Sequence, residues 1–154
     1  MAASEKLSAS LEDYLETIYL IEQEKQAARA KDIVVRLGVS NASVTGALRV
    51  LGQKKLVNYA PYDLVTLTPA GRRLAQDVMR RHDTLKGFLN SILNVEEEAA
   101  DEAACQLEHA ISADILCRLT AFVEFAQEAD NADWLKGLHA RLAKPSEETD
   151  APQA

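Results

Sequence analysis

The chain has 154 residues, an apolar fraction of 47% and a formal net charge of −7 at pH 7, which suits one domain or a small head joined to a helical body. No apolar run approaches the ~20 residues of a membrane span, and the amino terminus lacks the features of a signal peptide, so we expect a cytoplasmic protein with no membrane partner. Two cysteines are too few for a disulfide framework, and both are expected to be reduced thiols.

The negative charge is unevenly distributed along the chain. Residues 20–90 contain twelve Lys and Arg but only six Asp and Glu, about +6, so the remainder carries about −13. This asymmetry predicts a basic, phosphate-facing head on an acidic body. Carboxylates of the acidic body would also attract divalent cations.

A first helix is predicted to begin near Ser8, Ala9 and Ser10, which offer caps. Asp13 and Glu16 are three residues apart and therefore share one face of this helix. They are either ligands or a solvated first turn, where acidic side chains suit the helix dipole. The residues of this helix alone leave both interpretations open.

Residues 27–52 have the spacing of a helix-turn-helix, with the break at Gly38 and a cap at Ser40 or Asn41. The outward side of the second helix is small and polar, so it could approach DNA bases closely, although helix hairpins also occur in proteins that never touch DNA. The DNA contacts predicted from this region are Arg29, Ser40, Asn41, Ala42, Ser43, Thr45, Gly46 and Arg49.

Two short β-prone runs follow, Leu56–Tyr59 and Leu64–Leu67, separated by a turn that contains proline. A hairpin directly after a helix-turn-helix is the wing of a winged-helix domain. Lys54 and Lys55 before the wing and Tyr62 at its tip are predicted phosphate contacts, which set orientation rather than sequence preference.

A long helix is predicted from Pro69, a residue favoured at the first helical position, to Asn94. It holds His82, and a lone histidine is more often structural than a ligand. The next helix contains Cys105, Glu108 and His109, whose offsets of three and four place them on one face. A thiolate, a carboxylate and an imidazole can together hold a transition metal; a structural cysteine beside an exposed Glu-His pair is the alternative.

The last predicted helices carry more apolar surface than their neighbours obviously cover. Residues 115–125 are rich in Ile, Leu and Phe, and Trp134 begins the apolar side of the final helix. A dimer interface and intrachain packing both explain this surface. Residues 145–154 are predicted to form a disordered acidic tail from their composition.

Four motifs occur in the order and spacing of one known family. They are Leu11–Tyr19, Leu67–Gly71, Arg81-His82 and Leu107–His109. The sequence resembles the diphtheria-toxin-repressor family of metal-dependent transcriptional regulators, in particular its short manganese-regulator branch, from about Leu7 to the last helix.

This resemblance implies a mainly α homodimer, with a winged-helix DNA-binding domain over residues 1–73 and an all-helical metal-binding and dimerisation domain over 74–144. Such proteins bind double-stranded operator DNA when a divalent metal is present, and repress genes of metal uptake. Metal ligands from both domains would tie the head to the body and so fix the spacing of the two recognition helices of a dimer. No carboxy-terminal SH3-like domain fits in this length.

The resemblance also implies the metal ligands. They are Asp13, Glu16, His82, Asp101, Cys105, Glu108 and His109. The implied arrangement is two adjacent sites, the first with Asp13, Cys105, Glu108 and His109 and the second with Glu16 and His82. Iron-type members carry an acidic residue where this chain has Lys86, whose ammonium would repel an ion or mimic its charge.

The first implied site is a hybrid of two types. Manganese members resemble this chain at Asp13, whereas iron members resemble it at Cys105. A soft thiolate favours Fe(II) over Mn(II), while the aspartate keeps the site acceptable to harder ions, so we expect Fe(II) or Mn(II) with iron favoured.

No catalytic residue is predicted, but two rival functions stay open at this point. Cys, Glu and His around zinc could activate water, as in a hydrolase. A winged-helix regulator could instead ignore metals and sense an organic ligand, or the oxidation of Cys105.

Overall fold

The computed structural model describes residues 7–60 and 64–143, and the predicted mainly α fold class is confirmed. Seven helices and two strands make up this part of the chain. The helices are α1 (Ala9–Lys25), α2 (Ala30–Leu37), α3 (Asn41–Gln53), α4 (Pro69–Gly87), α5 (Glu97–Leu107), α6 (Ala113–Gln127) and α7 (Ala132–Leu142). The strands are β1 (Val57–Asn58) and β2 (Thr66–Leu67), and short turns of π-helix and 3₁₀-helix lie at Phe88–Ile92 and Ala129–Asn131.

The chain divides into two compact units between Arg80 and Arg81, within α4. The predicted boundary between residues 73 and 74 lies earlier in the same helix and stays a prediction. The predicted tail, 145–154, lies outside the described residues.

The first unit contains the predicted helix-turn-helix. Gly38 follows α2 with a φ of 66°, a left-handed conformation that glycine adopts without strain, and its N–H donates to the carbonyl of Val34. Ser40 then caps α3, because its Oγ accepts from the N–H of Ser43 at 3.1 Å. The core of this unit is formed by fully buried aliphatic side chains from α1, α2, α3 and the wing, namely Leu15, Ile18, Ile33, Val44, Leu48, Leu51 and Val65.

The wing is a short antiparallel hairpin. Val57 pairs with Leu67 and Asn58 with Thr66, and the Asn58 amide donates to Thr66 Oγ1 at 3.1 Å. A separate bridge joins Ala28 to Val65, so the segment between α1 and α2 also pairs with the wing. The hairpin was predicted, but the Ala28 bridge was not.

Glu22 anchors the wing to α1 within the first unit. Its carboxylate is buried, accepts the N–H of Leu67 at 2.8 Å and pairs with the Arg72 guanidinium at 2.6 Å. Both carboxylate oxygens are therefore satisfied, which a buried charge requires. Nothing in the local sequence distinguished Glu22 from the exposed acids near it.

The second unit begins with the end of α4. The helix continues through the π-helical turn, in which the N–H of Leu93 donates to the carbonyl of Phe88 at 3.2 Å, and Asn94 ends it with a φ of 56°. Phe122 of α6 packs edge-on against Phe88 and Trp134, with ring centroids 6.2 and 6.3 Å apart. This contact joins α6 and α7 to the helix that carries His82.

No helix within residues 7–60 and 64–143 combines the length and the apolar character needed to cross a bilayer.

Candidate metal centre and nucleic-acid surface

The predicted nucleic-acid surface lies on α3 and the segment after it. Every predicted contact within the described residues is exposed in the structure, from Arg29 before α2 to Lys54 and Lys55 after α3. A Cβ added at Gly46 would meet nothing within 4 Å, so the middle of α3 presents its backbone openly. Tyr62 lies outside the described residues, and the DNA-binding roles stay predictions.

The hydroxyl groups at the start of α3 are already ordered by local hydrogen bonds. Ser40 Oγ and Ser43 Oγ lie 2.9 Å apart, and Thr45 Oγ1 donates to the carbonyl of Asn41 at 2.9 Å. These side chains therefore hold one fixed shape at the exposed end of the helix. Such a surface suits recognition of groove shape and thymine methyl groups as well as hydrogen bonding.

The predicted metal-binding helix is shorter than expected. α5 ends at Leu107, and Glu108 forms its cap by donating its N–H to the carbonyl of Ala104 at 2.9 Å. The prediction that Cys105, Glu108 and His109 all stand on one helix was therefore wrong, because His109 follows in the turn. Arg81 of α4 donates to the carbonyl of Glu108 at 2.9 Å and so satisfies a carbonyl that the ended helix leaves open.

The side chain of Glu108 is the centre of the site. It is 1% exposed, and its Oε2 lies 2.9 Å from Nδ1 of His82. Its other oxygen, Oε1, lies 3.4 Å from Nε2 of His109. The sulfur of Cys105 lies 3.7 Å from Nδ1 of His82. A buried carboxylate thus lies between two imidazoles, with a thiol beside one of them.

His82, Cys105 and Glu108 can converge on one ion, since their ligand atoms all lie within 4.8 Å of one another. The sequence predicted His82 in a different site from Cys105, but the structure places these two side chains together. One nitrogen, one sulfur and one oxygen donor fit a first-row transition metal.

Lys86 and Asp101 form a charged pair next to His82. The Lys86 ammonium lies 2.8 Å from Asp101 Oδ1 and 2.9 Å from Glu97 Oε1. The hydrogen bond to Asp101 is the main reason that the pKa of Lys86 is raised, and the hydrogen bond to Glu97 acts in the same direction. The hydrogen bond from Lys86 is also the main reason that the pKa of Asp101 lies below its usual value, with a smaller contribution from His82, while burial acts in the opposite direction.

The remaining predicted ligands lie on α5 and α1. Asp101, predicted as a ligand, contacts Lys86 and His82 Nε2, the latter at 3.3 Å. Asp13 and Glu16 are half-buried residues of α1 in the first unit. Their roles as ligands stay predictions that rest on the family resemblance.

Lys86 was recognised in the sequence as a positive charge beside the implied ligands, but its partners Asp101 and Glu97 and the contact between Arg81 and Glu108 were missed. The Arg81-His82 pair was recognised as a motif, but nothing in the sequence showed that Arg81 caps α5, 27 residues later. The partners of Lys86 could have been sought among the acidic residues of α5, whose first turn contains Glu97 and Glu98.

A winged helix followed by a helical unit with an N, S, O donor cluster defines a class, the metal-dependent DNA-binding regulators. The chain matches two family models, "Iron dependent repressor, N-terminal DNA binding domain" over residues 6–65 and "Iron dependent repressor, metal binding and dimerisation domain" over residues 68–133. The chain therefore belongs to the iron-dependent repressor family, which includes the diphtheria-toxin-repressor and manganese-regulator types, and the resemblance inferred from the four motifs is confirmed.

Named relatives are transcriptional regulators. The chain is 40% identical over 119 residues to an uncharacterised HTH-type transcriptional regulator of Methanocaldococcus jannaschii, covering 77% of this chain and 95% of that protein. It is 32% identical over 141 residues to the HTH-type transcriptional regulator MntR of Bacillus pumilus, covering 91% and 97%. These relatives support the predicted non-enzymatic role and argue against the hydrolase alternative.

Solved structures of related repressors share the fold. A manganese-dependent transcriptional repressor in complex with manganese has a TM-score of 0.69 at 32% identity, covering 77% of this chain and 54% of that one. The Thermoplasma acidophilum protein IdeR has a TM-score of 0.63 at 28% identity, covering 77% and 53%. The chain thus spans about half the length of these solved proteins.

Proposed function

We propose that this repressor-family protein senses Fe(II) or Mn(II), with Fe(II) favoured, and controls genes of metal homeostasis by binding operator DNA as a cytoplasmic homodimer. The single observation that carries this proposal is the buried Glu108 carboxylate, with one oxygen at His82 and the other at His109. A metal ion bound there would supply the positive charge that organises these groups.

The preference for iron rests on Cys105. Its sulfur lies within reach of the same ion as Nδ1 of His82 and the carboxylate of Glu108. Thiolate and imidazole donors favour Fe(II) over Mn(II), whereas a site made of carboxylates would suit Mn(II). The relatives named MntR and the manganese-bound repressor are evidence for manganese in those proteins, so Mn(II) stays the second candidate.

The proposed DNA contacts rest on exposure and charge. Arg49, Lys54 and Lys55 are exposed positive residues in the second half of α3 and directly after it, where they could contact phosphates on either side of the major groove. The small residues Ala42 and Gly46 allow the helix to approach base edges. Both features support insertion of α3 into the groove.

The experiment is anaerobic fluorescence anisotropy with labelled DNA from the promoter of the protein's own gene. The protein is titrated with Fe(II), with Mn(II), and with a chelator alone. The proposal expects specific binding only with metal, and at lower concentrations of Fe(II) than of Mn(II). Binding that ignores both ions would favour the alternative regulator, which senses an organic ligand or thiol oxidation.

Two variants separate the DNA surface from a general effect of charge. Arg49→Ala is expected to weaken operator binding while metal affinity stays unchanged. Lys136→Ala removes an exposed positive charge from α7 and is expected to leave operator binding unchanged. Equal losses in the two variants would contradict the assignment of α3 as the recognition helix.

Asp13→Ala tests the contribution of α1 predicted from the resemblance. It is expected to abolish metal-dependent operator binding and to leave the dimer intact in sedimentation analysis. A variant whose operator binding still responds to metal as the wild type does would remove Asp13 from the ligand set.

A further inference from the structure

The side chains of Lys86, Asp101 and His82 are linked in series next to the proposed metal site. Lys86 Nζ lies 2.8 Å from Asp101 Oδ1, and the same oxygen lies 3.3 Å from Nε2 of His82. The opposite nitrogen of His82, Nδ1, lies 2.9 Å from Glu108 Oε2 and 3.7 Å from Cys105 Sγ. His82 therefore has its two nitrogens directed at different groups.

Asp101 can orient His82 for binding a metal ion. Ionised Asp101 and Glu108 both only accept hydrogen bonds, so without a metal either nitrogen of His82 can carry the hydrogen. With an ion bound on the side of Glu108 and Cys105, Nδ1 would supply its lone pair to the ion and Nε2 would donate its N–H to Asp101. Histidines that bind metals commonly donate their other N–H to a carboxylate in this way, which fixes the ring and makes it a stronger ligand.

Lys86 explains why Asp101 stays in place. The side chain of Asp101 is 49% exposed, whereas that of Lys86 is 28% exposed, so water competes for the carboxylate more than for the ammonium. The ammonium only donates, and it is itself held on a second side by Glu97 at 2.9 Å. Its contact with Oδ1 fixes the one oxygen that also accepts from His82.

We propose that Lys86 and Asp101 form a positioning pair for His82, and that Asp101 acts outside the set of metal ligands rather than within it. This inference rests on the proposed metal site at His82, Cys105 and Glu108. The ammonium supplies a positive charge at 2.8 Å from Asp101 Oδ1, so this carboxylate has a cationic partner without a metal ion.

The experiment is an anaerobic titration of the full-length protein with Co(II), followed by the charge-transfer band between thiolate and cobalt in the near ultraviolet. The band reports the ion bound by Cys105, and elemental analysis of the protein after removal of unbound Co(II) gives the total number of ions per chain. Asp101→Ala is expected to lower the affinity for this ion about 10–100-fold, which is the usual effect of losing the outer hydrogen-bond partner of a metal-binding histidine. The thiolate band and the number of ions per chain are expected to stay as in the wild type.

Three further variants test the details. Asp101→Asn retains an acceptor oxygen and is expected to recover most of the affinity that Asp101→Ala loses, while Lys86→Met is expected to weaken binding in the same direction as Asp101→Ala. Glu102→Ala removes the neighbouring exposed carboxylate of α5 and is the matched control, with no change expected.

The outcomes distinguish the inference from the metal site itself. A wild-type protein that shows no thiolate band overturns the proposed metal site together with the positioning pair. A wild type that binds Co(II) beside an Asp101→Ala variant of unchanged affinity overturns the positioning pair alone. Loss of one ion per chain in Asp101→Ala, with the thiolate band and its affinity unchanged, would instead make Asp101 a ligand of a second ion.

Discussion

The two units of this protein differ in the size of their buried apolar core and in the exposure of their large apolar side chains. The first unit closes its core with fully buried aliphatic residues such as Leu15, Ile33 and Leu48, and its predicted DNA contacts within the described residues are exposed. In the second unit the carboxylate of Glu108 is buried, while large apolar residues such as Phe125 and Trp134 are at least half exposed.

This difference indicates where each unit obtains its stability. The first unit has a large buried apolar core, so we expect it to fold without a ligand. The second unit holds a polar cluster that gains from a bound cation, and its exposed apolar helices are of the kind that dimer interfaces cover. The second unit is thus the part whose properties should change with metal.

Glu108→Ala should produce the largest effect and confine it to the second unit. The variant removes the carboxylate shared by His82 and His109, so we expect metal affinity to fall more than the ~10–100-fold typical of an outer partner. Co(II) titration measures the affinity. Fluorescence of Trp134, the only tryptophan, reports the folding of the second unit. Loss of structure in the first unit as well would contradict the expectation that the effect is confined to the second unit.

Gly71→Ala should damage the first unit instead. A Cβ at this position would lie 1.9 Å from the carbonyl oxygen of Leu56, so the wing or α4 must shift, at a cost of about 1–3 kcal/mol or more. Urea unfolding followed by circular dichroism measures the loss. Gly52→Ala, in α3 with nothing within 4 Å, is the control and should gain up to ~1 kcal/mol; similar effects from both would refute the close contact.

Glu22→Gln should destabilise the first unit by about 1–3 kcal/mol, since it weakens a buried pair with Arg72 and the bond from Leu67. Thermal unfolding provides the measurement. Glu24→Gln changes the exposed pair with Arg36 and should cost less than ~1 kcal/mol. If the two variants were equally stable, the anchoring role of Glu22 would be wrong.

Asp32→Asn should give the smallest effect, and one that depends on pH. The hydrogen bond from Lys25 is the main reason that the pKa of Asp32 lies below its ordinary value of 3.8. The carboxylate therefore stabilises the fold above that value, and this contribution is lost as the pH falls through the lower pKa of the folded state. At pH 7 the free energy of unfolding should fall by less than ~1 kcal/mol. In acid the difference from the wild type should vanish. A difference that persists in acid would show that the contribution of Asp32 does not come from its charge.

The winged helix could be predicted closely because its boundaries are local. Gly38, Ser40 and Pro69 mark turns and caps through their own backbone chemistry, and the structure uses each of them at the predicted place. The bridge between Ala28 and Val65 could not be predicted, because Ala28 carries no strand signal and the two residues lie 37 positions apart in the sequence.

The candidate site was predictable in its residue types but not in its grouping. His82 and Cys105 are separated by 23 residues, and helical spacing relates only residues on one helix. At the end of α5, the carbonyl of Glu108 accepts a hydrogen bond from Arg81 of another helix. The residues near Leu107 therefore gave no local signal that the helix ends there. Long-range contacts of this kind decide which ligands share an ion.

The central claim is that an ion held at Glu108 controls binding to DNA. The most direct measurement is anaerobic operator binding by Glu108→Gln beside the wild type, at an Fe(II) concentration that saturates the wild type. We expect metal-dependent binding by the wild type and none by the variant, although the first unit of the variant remains folded. Equal, metal-dependent binding by the two proteins would contradict it.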